Sequence, residues 1–261
     1  MQFGINIGAY PIPVAQQLSL IRQNGFSAVF CEADSGLLPT IAEPCAQYGL
    51  TIESCHAPFD HINDLWYETA DGERMLDALL RSVDECADYG VPVLVTHLSS
   101  GENPPRVNDI GLSRLEALVQ LADSRGVTIA FENQRMLGNL ALALESFPTT
   151  AFCWDRGHEG CFTDGKWDFM ALFGDRLAAI HLHDNAACHN KDDHRIPFDG
   201  TLDWRRPAAA IAQAGYEKAL MLELFAENTP AYLTMGAEAY YARAAAAARR
   251  LGTLITEAAR A

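Results

Sequence analysis

Short β-branched or aromatic runs alternate with longer amphipathic stretches along all 261 residues, and this alternation constrains the fold more than any other feature. The runs that read as strands are 3–8 (FGINIG), 27–32 (SAVFCE), 50–55 (LTIESC), 91–97 (VPVLVTH), 127–133 (VTIAFEN), 149–155 (TTAFCWD), 177–183 (LAAIHLH) and 218–224 (KALMLEL). Helix-like segments lie between them, among them 13–24, 72–89, 111–125, 137–146 and 204–214. Asn24-Gly25, Tyr48-Gly49, Tyr89-Gly90, Arg125-Gly126 and Ala214-Gly215 supply the glycine that ends a helix just before the next strand. The Ala-rich stretch 231–260 reads as one long closing helix.

Eight strand–helix units in 261 residues match an α/β fold of the (β/α)8 TIM-barrel type, with the whole of 1–261 as a single domain. A doubly wound open sheet also alternates strand and helix, but no Gly-x-Gly-x-x-Gly follows the first strand. No Pro-, Gly- or Ser-rich linker divides the chain, and 49% hydrophobic residues are enough for a substantial core. The N-terminus MQFGINIGAYPIPVAQQ lacks the pattern of a signal peptide, and no apolar run reaches the ~20 residues a spanning helix needs. The seven cysteines are odd in number, scattered and without a Cys-x-x-Cys pair. They read as reduced thiols of a cytoplasmic protein.

A barrel carries its chemistry at the C-terminal ends of its strands, so those positions are the ones to read. They hold His56, His97, Glu132-Asn133, Asp155 with His158 just beyond, His183 and Glu223, and the loop after the seventh strand adds Asp192 and His194. Side-chain alternation places Ser54, Val95, Ala130, Cys153, His181 and Met221 one layer deeper. Of these, His181 is expected to be a hydrogen-bonded core histidine rather than a ligand. Imidazoles and carboxylates converging on one mouth need a cation among them. Nitrogen and oxygen donors suit zinc, manganese, cobalt or iron, whereas the histidines disfavour calcium and the lack of an evident thiolate ligand disfavours a soft metal.

Seven segments in order resemble the xylose-isomerase-like TIM barrels, a family of sugar isomerases, sugar epimerases and endonuclease IV-type AP endonucleases. They are Cys-His-Ala-Pro-Phe (55–59), Val-Thr-His (95–97), Phe-Glu-Asn (131–133), Trp-Asp-Arg-Gly-His (154–158), His-Leu-His-Asp-Asn (181–185), Asp-Asp-His (192–194) and Leu-Glu-Leu (222–224). His-Ala-Pro-Phe-Asp (56–60), His-Leu-Ser-Ser-Gly-Glu-Asn-Pro-Pro (97–105) and Pro-Phe-Asp-Gly-Thr (197–201) are most similar to bacterial sugar phosphate isomerase/epimerase proteins. The resemblance implies one metal at Glu132, Asp155, His183 and Glu223, with Glu132 and Glu223 as the acid/base pair and His158 on the substrate. The AP-endonuclease branch uses those four positions plus His56, His97, His158, Asp192 and His194 for three zinc ions, and this chain matches that set in residue type. Where many ketohexose epimerases carry an arginine, six residues after the strand-seven histidine, this chain has His189.

The expected function is a divalent-metal-dependent isomerase or epimerase of a sugar or sugar derivative, with one to three zinc or manganese ions per chain. Proton transfer through a metal-stabilised enediolate would use the two glutamates. Two alternatives use the same site: metal-assisted phosphodiester hydrolysis and a lyase acting on an oxidised sugar. A net charge of −15 counts against a nucleic-acid partner, as does the absence of basic clusters beyond Arg205-Arg206 and Arg249-Arg250. The short acidic loop Ala33-Asp34-Ser35-Gly36 after the second strand is a poor tool for opening a duplex. The expected partner is therefore a small carbohydrate, with no membrane and with homo-oligomers built through the outer helices as in relatives. Lys191, Arg195, Arg135 and Arg156 are the cations available near the mouth for a phosphate, and their spacing forms no recognised cradle.

Overall fold

Each of the eight apolar runs forms a strand in the computed structural model, which describes residues 1–186 and 188–260. The strands are β1 (Phe3–Asn6), β2 (Ala28–Glu32), β3 (Thr51–His56), β4 (Val93–Thr96), β5 (Thr128–Glu132), β6 (Ala151–Asp155), β7 (Leu177–His181) and β8 (Leu220–Leu222). They pair in parallel, in sequence order from β1 to β7, with β8 beside β1. The remaining seam is bridged by Leu182 against Leu222. There the Leu182 N–H donates to Met221 O at 2.9 Å and Glu223 N–H to Leu182 O at 3.3 Å. Parallel strands buried on both faces and closed on themselves leave no long free edge.

The helices cover the outside: α1 (Val14–Gln23), α2 (Leu38–Gln47), α3 (Ala70–Asp88), α4 (Asp109–Arg125), α5 (Leu137–Ser146), α6 (Arg156–Phe162), α7 (Phe169–Phe173), α8 (Arg205–Ala214), α9 (Pro230–Met235) and α10 (Ala237–Ala258). Gly25, Gly49, Gly90, Gly126 and Gly215 all have φ between 62° and 88°, the left-handed turn that ends a helix. One expectation needs correction. The closing stretch is two helices, because Gly236 at φ 82° and ψ 159° lies far from helical angles and turns the chain between α9 and α10. No helix among the described residues is long and apolar enough to cross a membrane.

The main core lies between sheet and helices, with Trp66, Phe26, Phe131 and Phe152 among its fully buried side chains. A second, smaller cluster fills the barrel itself: Val93, Val95, Ala130, Ala151, Cys153 and Ala179. Three of the residues expected in the deeper layer, Val95, Ala130 and Cys153, are in it. These short side chains plug the barrel below the mouth.

Candidate metal centre

β3, β5 and β6 end on His56, Glu132 and Asp155, and His97, His183 and Glu223 follow β4, β7 and β8 within two residues. Asp155 also caps α6, accepting a hydrogen bond from the His158 backbone N–H at 2.6 Å. That cap places His158 one turn above Asp155 on the same side of the mouth. Asp192 and His194 arrive from the long segment between β7 and α8. That segment is held by Asp184, whose carboxylate accepts from the backbone N–H groups of Asn185, Phe198 and Leu202 and from Trp204 Nε1.

Seven of the nine residues expected as ligands line one cavity, and Asp155 and His183 pair with its lining residues His158 and Asp192. With His181 the nine gather into three groups, two of which share Glu132. Glu132, Asp155, His181 and Glu223 each bring one donor atom within 4.8 Å of the others. His56, His97 and Glu132 form a second group, with His97 Nε2 2.5 Å and His56 Nε2 3.6 Å from Glu132 Oε2. His158, His183, Asp192 and His194 form the third. Asp192 Oδ2 lies 3.1 Å from His158 Nε2 and 3.0 Å from His194 Nε2.

One member departs from the expected quartet. His181, not His183, stands between the two glutamates, its Nδ1 2.6 Å from Glu132 Oε1 and 3.5 Å from Glu223 Oε2. His183 lies beyond Asp155, its Nε2 3.1 Å from Asp155 Oδ1, and faces Asp192. The cause is register. An irregularity between Phe152 and Cys153 advances β7 along β6, so that Asp155 pairs with His181. Alternation shows which face a residue takes, but only the pairing sets its depth.

Three amides support the donors: Asn133, expected at the end of its strand, and Gln134 and Asn6, which sequence reasoning missed. Gln134 Nε2 is 3.1 Å from His97 Nε2 and 3.0 Å from His158 Nδ1. Asn133 clamps the Asp155 backbone, its Oδ1 accepting from the N–H and its Nδ2 donating to the C=O, both at 2.8 Å. Asn6 holds Leu224, next to Glu223, in the same two-point way. An asparagine at a strand end is the signal common to both. Cys153 lies within ligand range of Glu132 and His181, but burial pushes its thiol well above the ordinary range and keeps it protonated.

The electrostatics of the site suit a bound cation. Glu132, Asp155, Asp192 and Glu223 pair with histidines alone among the described residues, without a lysine or arginine. Burial, with the charges of Glu132 and Asp155, pushes Glu223 well above the usual carboxylate range. Burial would raise Glu132 too, yet His181 and His158 hold it well below that range. Burial brings His97 down to about 4. It opposes protonation of His158 as well, but Asp155 and Asp192 outweigh it and raise that imidazole. His97 Nδ1, His181 Nε2 and His183 Nδ1 are buried without a hydrogen-bond partner. Four carboxylates lacking a fixed counter-charge, set among imidazole nitrogens, fit divalent metal ions. Phe59, Phe162 and Phe225 pack against the rings of His97, His158 and His194 and form an apolar collar above the donors.

A profile of the xylose isomerase-like TIM barrel family matches residues 18–251. The chain belongs to that family. A curated relative, the uncharacterised protein y4fM of Sinorhizobium fredii, is 28% identical over 291 residues, covering 95% of this chain and 92% of its own. Among solved structures, an L-ribulose 3-epimerase superposes with a TM-score of 0.77 at 17% identity, over 100% of this chain and 96% of that one. The D-psicose 3-epimerase of Clostridium cellulolyticum H10, solved with D-tagatose, gives 0.79 at 12% identity over 98% and 99%. The IOLI protein, solved with a bound zinc atom, gives 0.77 at 15% identity, also over 98% and 99%. At these identities the shared property is the barrel fold.

Proposed function

We propose that this barrel is a divalent-metal-dependent isomerase or epimerase acting on a sugar or sugar derivative, working as a cytoplasmic enzyme. The observation that carries the reading is the pair of buried glutamates, Glu132 and Glu223, which converge on His181 from β5 and the end of β8. Their surroundings pull them in opposite directions, Glu132 towards the carboxylate and Glu223 towards the acid. Two carboxyl groups that reach one centre from different strands are what a paired proton acceptor and donor require.

Glu132, Asp155, His181 and Glu223 would hold the first ion, and the groups around His56–His97 and His158–Asp192–His194 have the donors for up to two more. A bound divalent ion supplies positive charge against the negative charge that develops on substrate oxygens when a proton leaves carbon. Glu132 takes that proton and Glu223 returns one, to the same carbon for epimerisation or to its neighbour for isomerisation. His158, fixed by the Asp155 cap and by Asp192, is placed to donate to a substrate oxygen. The Phe59, Phe162 and Phe225 collar limits water around these groups. The epimerases that share the fold support a ketose as substrate, and the seven free cysteines suit a reducing compartment.

Deuterium wash-in from heavy water, run on metal-loaded protein across ketoses and their phosphates, tests the reading. Exchange at the carbon beside the carbonyl is expected with at least one ketose. No exchange with any of them would sink it. The second and third donor groups favour one other reading, AP-endonuclease-type phosphodiester hydrolysis, and efficient incision of an abasic duplex would establish that in its place.

A further inference from the structure

The four basic residues near the barrel mouth do not share one fate. Lys191 and Arg195 both pair with Asp193, at 3.7 and 3.1 Å. Arg156 turns to a separate cavity beside α7 and α8, with Trp154, Glu159 and Arg206. Among the described residues, Arg135 is the one lysine or arginine that lines the cavity of about 230 Å³ above the metal donors.

The Arg135 guanidinium is held but not neutralised. Its Nε donates to Asn190 Oδ1 at 2.8 Å, and Asn190 Nδ2 donates in turn to Glu102 Oε1 at 2.9 Å. The guanidinium carbon sits 3.6 Å above the centre of the Phe162 ring. His158 stacks on the same ring at 4.5 Å, and two groups at such separations must take opposite faces. Phe162 thus spaces the guanidinium from the donor cluster by the thickness of one ring. No carboxylate reaches ion-pair distance of Arg135 among the described residues, and its Nη1 and Nη2 make no hydrogen bond there. A half-buried, oriented guanidinium with its fork unfilled matches a carboxylate or phosphate in geometry and charge. Cations among the four carboxylates would leave Arg135 still less compensated.

Beyond the metal donors and Arg135, the cavity offers a chain of neutral hydroxyls only the side chains of Glu32, Ser100 and Gln134. Ile7, Phe30, Phe59 and Phe225 are apolar, and both ends of the Asn6 amide are spent on the Leu224 backbone. A fully hydroxylated neutral substrate would bury hydroxyls against aromatic rings without partners.

We propose that the substrate is anionic, carrying a carboxylate or phosphate that Arg135 grips through Nη1 and Nη2 while the reacting carbons lie over the donor cluster. This deepens the isomerase reading and depends on it for which atoms react; the anion site itself stands on the cavity geometry. Arg135 is then a specificity-determining residue.

The test compares three ketoses on one six-carbon frame, D-fructose, D-fructose 6-phosphate and D-fructuronate, with the full metal-loaded chain. Two readouts are taken: deuterium wash-in as kcat/KM, and binding by calorimetry. One charged ketose should be preferred over fructose by about tenfold or more, the scale of one charge-assisted contact. Whether phosphate or uronate wins identifies the group. Arg135→Gln should cut the charged-over-neutral ratio about tenfold, and Arg135→Lys should keep part of it, a pattern that general damage to the fold does not produce. A ratio near one in the wild type, or one unchanged in Arg135→Gln, would overturn the proposal. If no ketose exchanges deuterium, the isomerase reading fails and calorimetry decides the anion site alone. Charged-ketose binding that weakens in Arg135→Gln upholds it, and binding that is absent from the wild type or equal in both proteins refutes it.

Discussion

His181 ends β7 and His183 follows it by two residues, yet they meet different carboxylates. His181 Nδ1 is shared by Glu132 and Glu223, whereas His183 faces Asp155 and Asp192. Replacing His181 by Gln should therefore abolish the first bound ion and lower deuterium exchange about 100-fold, a loss typical of perturbing a metal site. His183→Gln should leave that first ion in place and weaken binding at the third group instead. Metal content per chain, measured by elemental analysis of both variants, separates the two outcomes; equal losses would contradict the assignment. The imidazoles and carboxylates at the strand ends were legible in the sequence because alternation fixes which face a residue takes. His181 was read as a core histidine because its depth depends on the β6–β7 pairing, a relation between strands that strand-by-strand counting does not contain. Gln134 is missed, and the contacts that Asn133 makes at its strand end are not foreseen, for another reason. Their role lies in whom they touch, His97, His158 and the Asp155 backbone, and amides carry no charge pattern to betray it.

Elements with a clear period and a glycine stop were legible, and those organised by a single side chain were not. α3 and α4 follow their expected ranges closely because an apolar stripe and a capping residue agree, with Thr69 and Asn108 accepting from the third residue on. α6 and α7 are too short to show a period, and the break at Gly236 hides within an Ala-rich run that favours helix throughout. The described residues from Asp184 to Trp204 have almost no repeating structure, yet Asp192 and His194 among them reach the site. Asp184 is their organiser, fully buried with four N–H donors on its two oxygens. Asp184→Asn replaces one acceptor with an NH2 and turns it against donors. A loss of about 2–3 kcal/mol in urea unfolding is expected, as for a buried group left unsatisfied. Gly157 carries a second dependence at this scale, since a Cβ there would lie 1.8 Å from His183 Cε1. Gly157→Ala should displace that ring and weaken metal binding at the third group while the first ion is retained, as read by metal titration.

At the scale of the whole chain, a net charge of −15 repels a polyanion such as duplex DNA, and part of that charge is concentrated where it can titrate with metal binding. In the metal-free protein Glu223, His158 and His183 hold their protons above their ordinary titration ranges. Burial, with Glu132 and Asp155, raises Glu223; His158 is raised because Asp155 and Asp192 outweigh the burial that opposes its charge. Those protons must leave as a cation takes their place. Metal affinity should therefore climb as pH rises through neutrality and fall on acidification. The sign for stability follows from the same groups. A histidine whose folded pKa is raised stabilises the fold below its unfolded value of 6.5 and loses that contribution as pH rises through the folded value. A buried acid with a raised pKa likewise favours the fold at lower pH, below its folded value. Glu132, Asp155 and Asp192, held low, act in the opposite sense, but their window lies below the ordinary carboxylate values of 3.8 to 4.5. From neutral pH upward, then, the chelated protein should lose stability while the metal-loaded protein is spared, because cations replace the protons that the carboxylates had kept. The gap between their melting temperatures should widen from pH 6.5 to 8.5. Calorimetric metal titration in two buffers of different ionisation enthalpy should show at least one proton released with the first ion. Heats independent of buffer, or a melting gap that narrows with pH, would mean that these carboxylates and histidines do not act together on the metal.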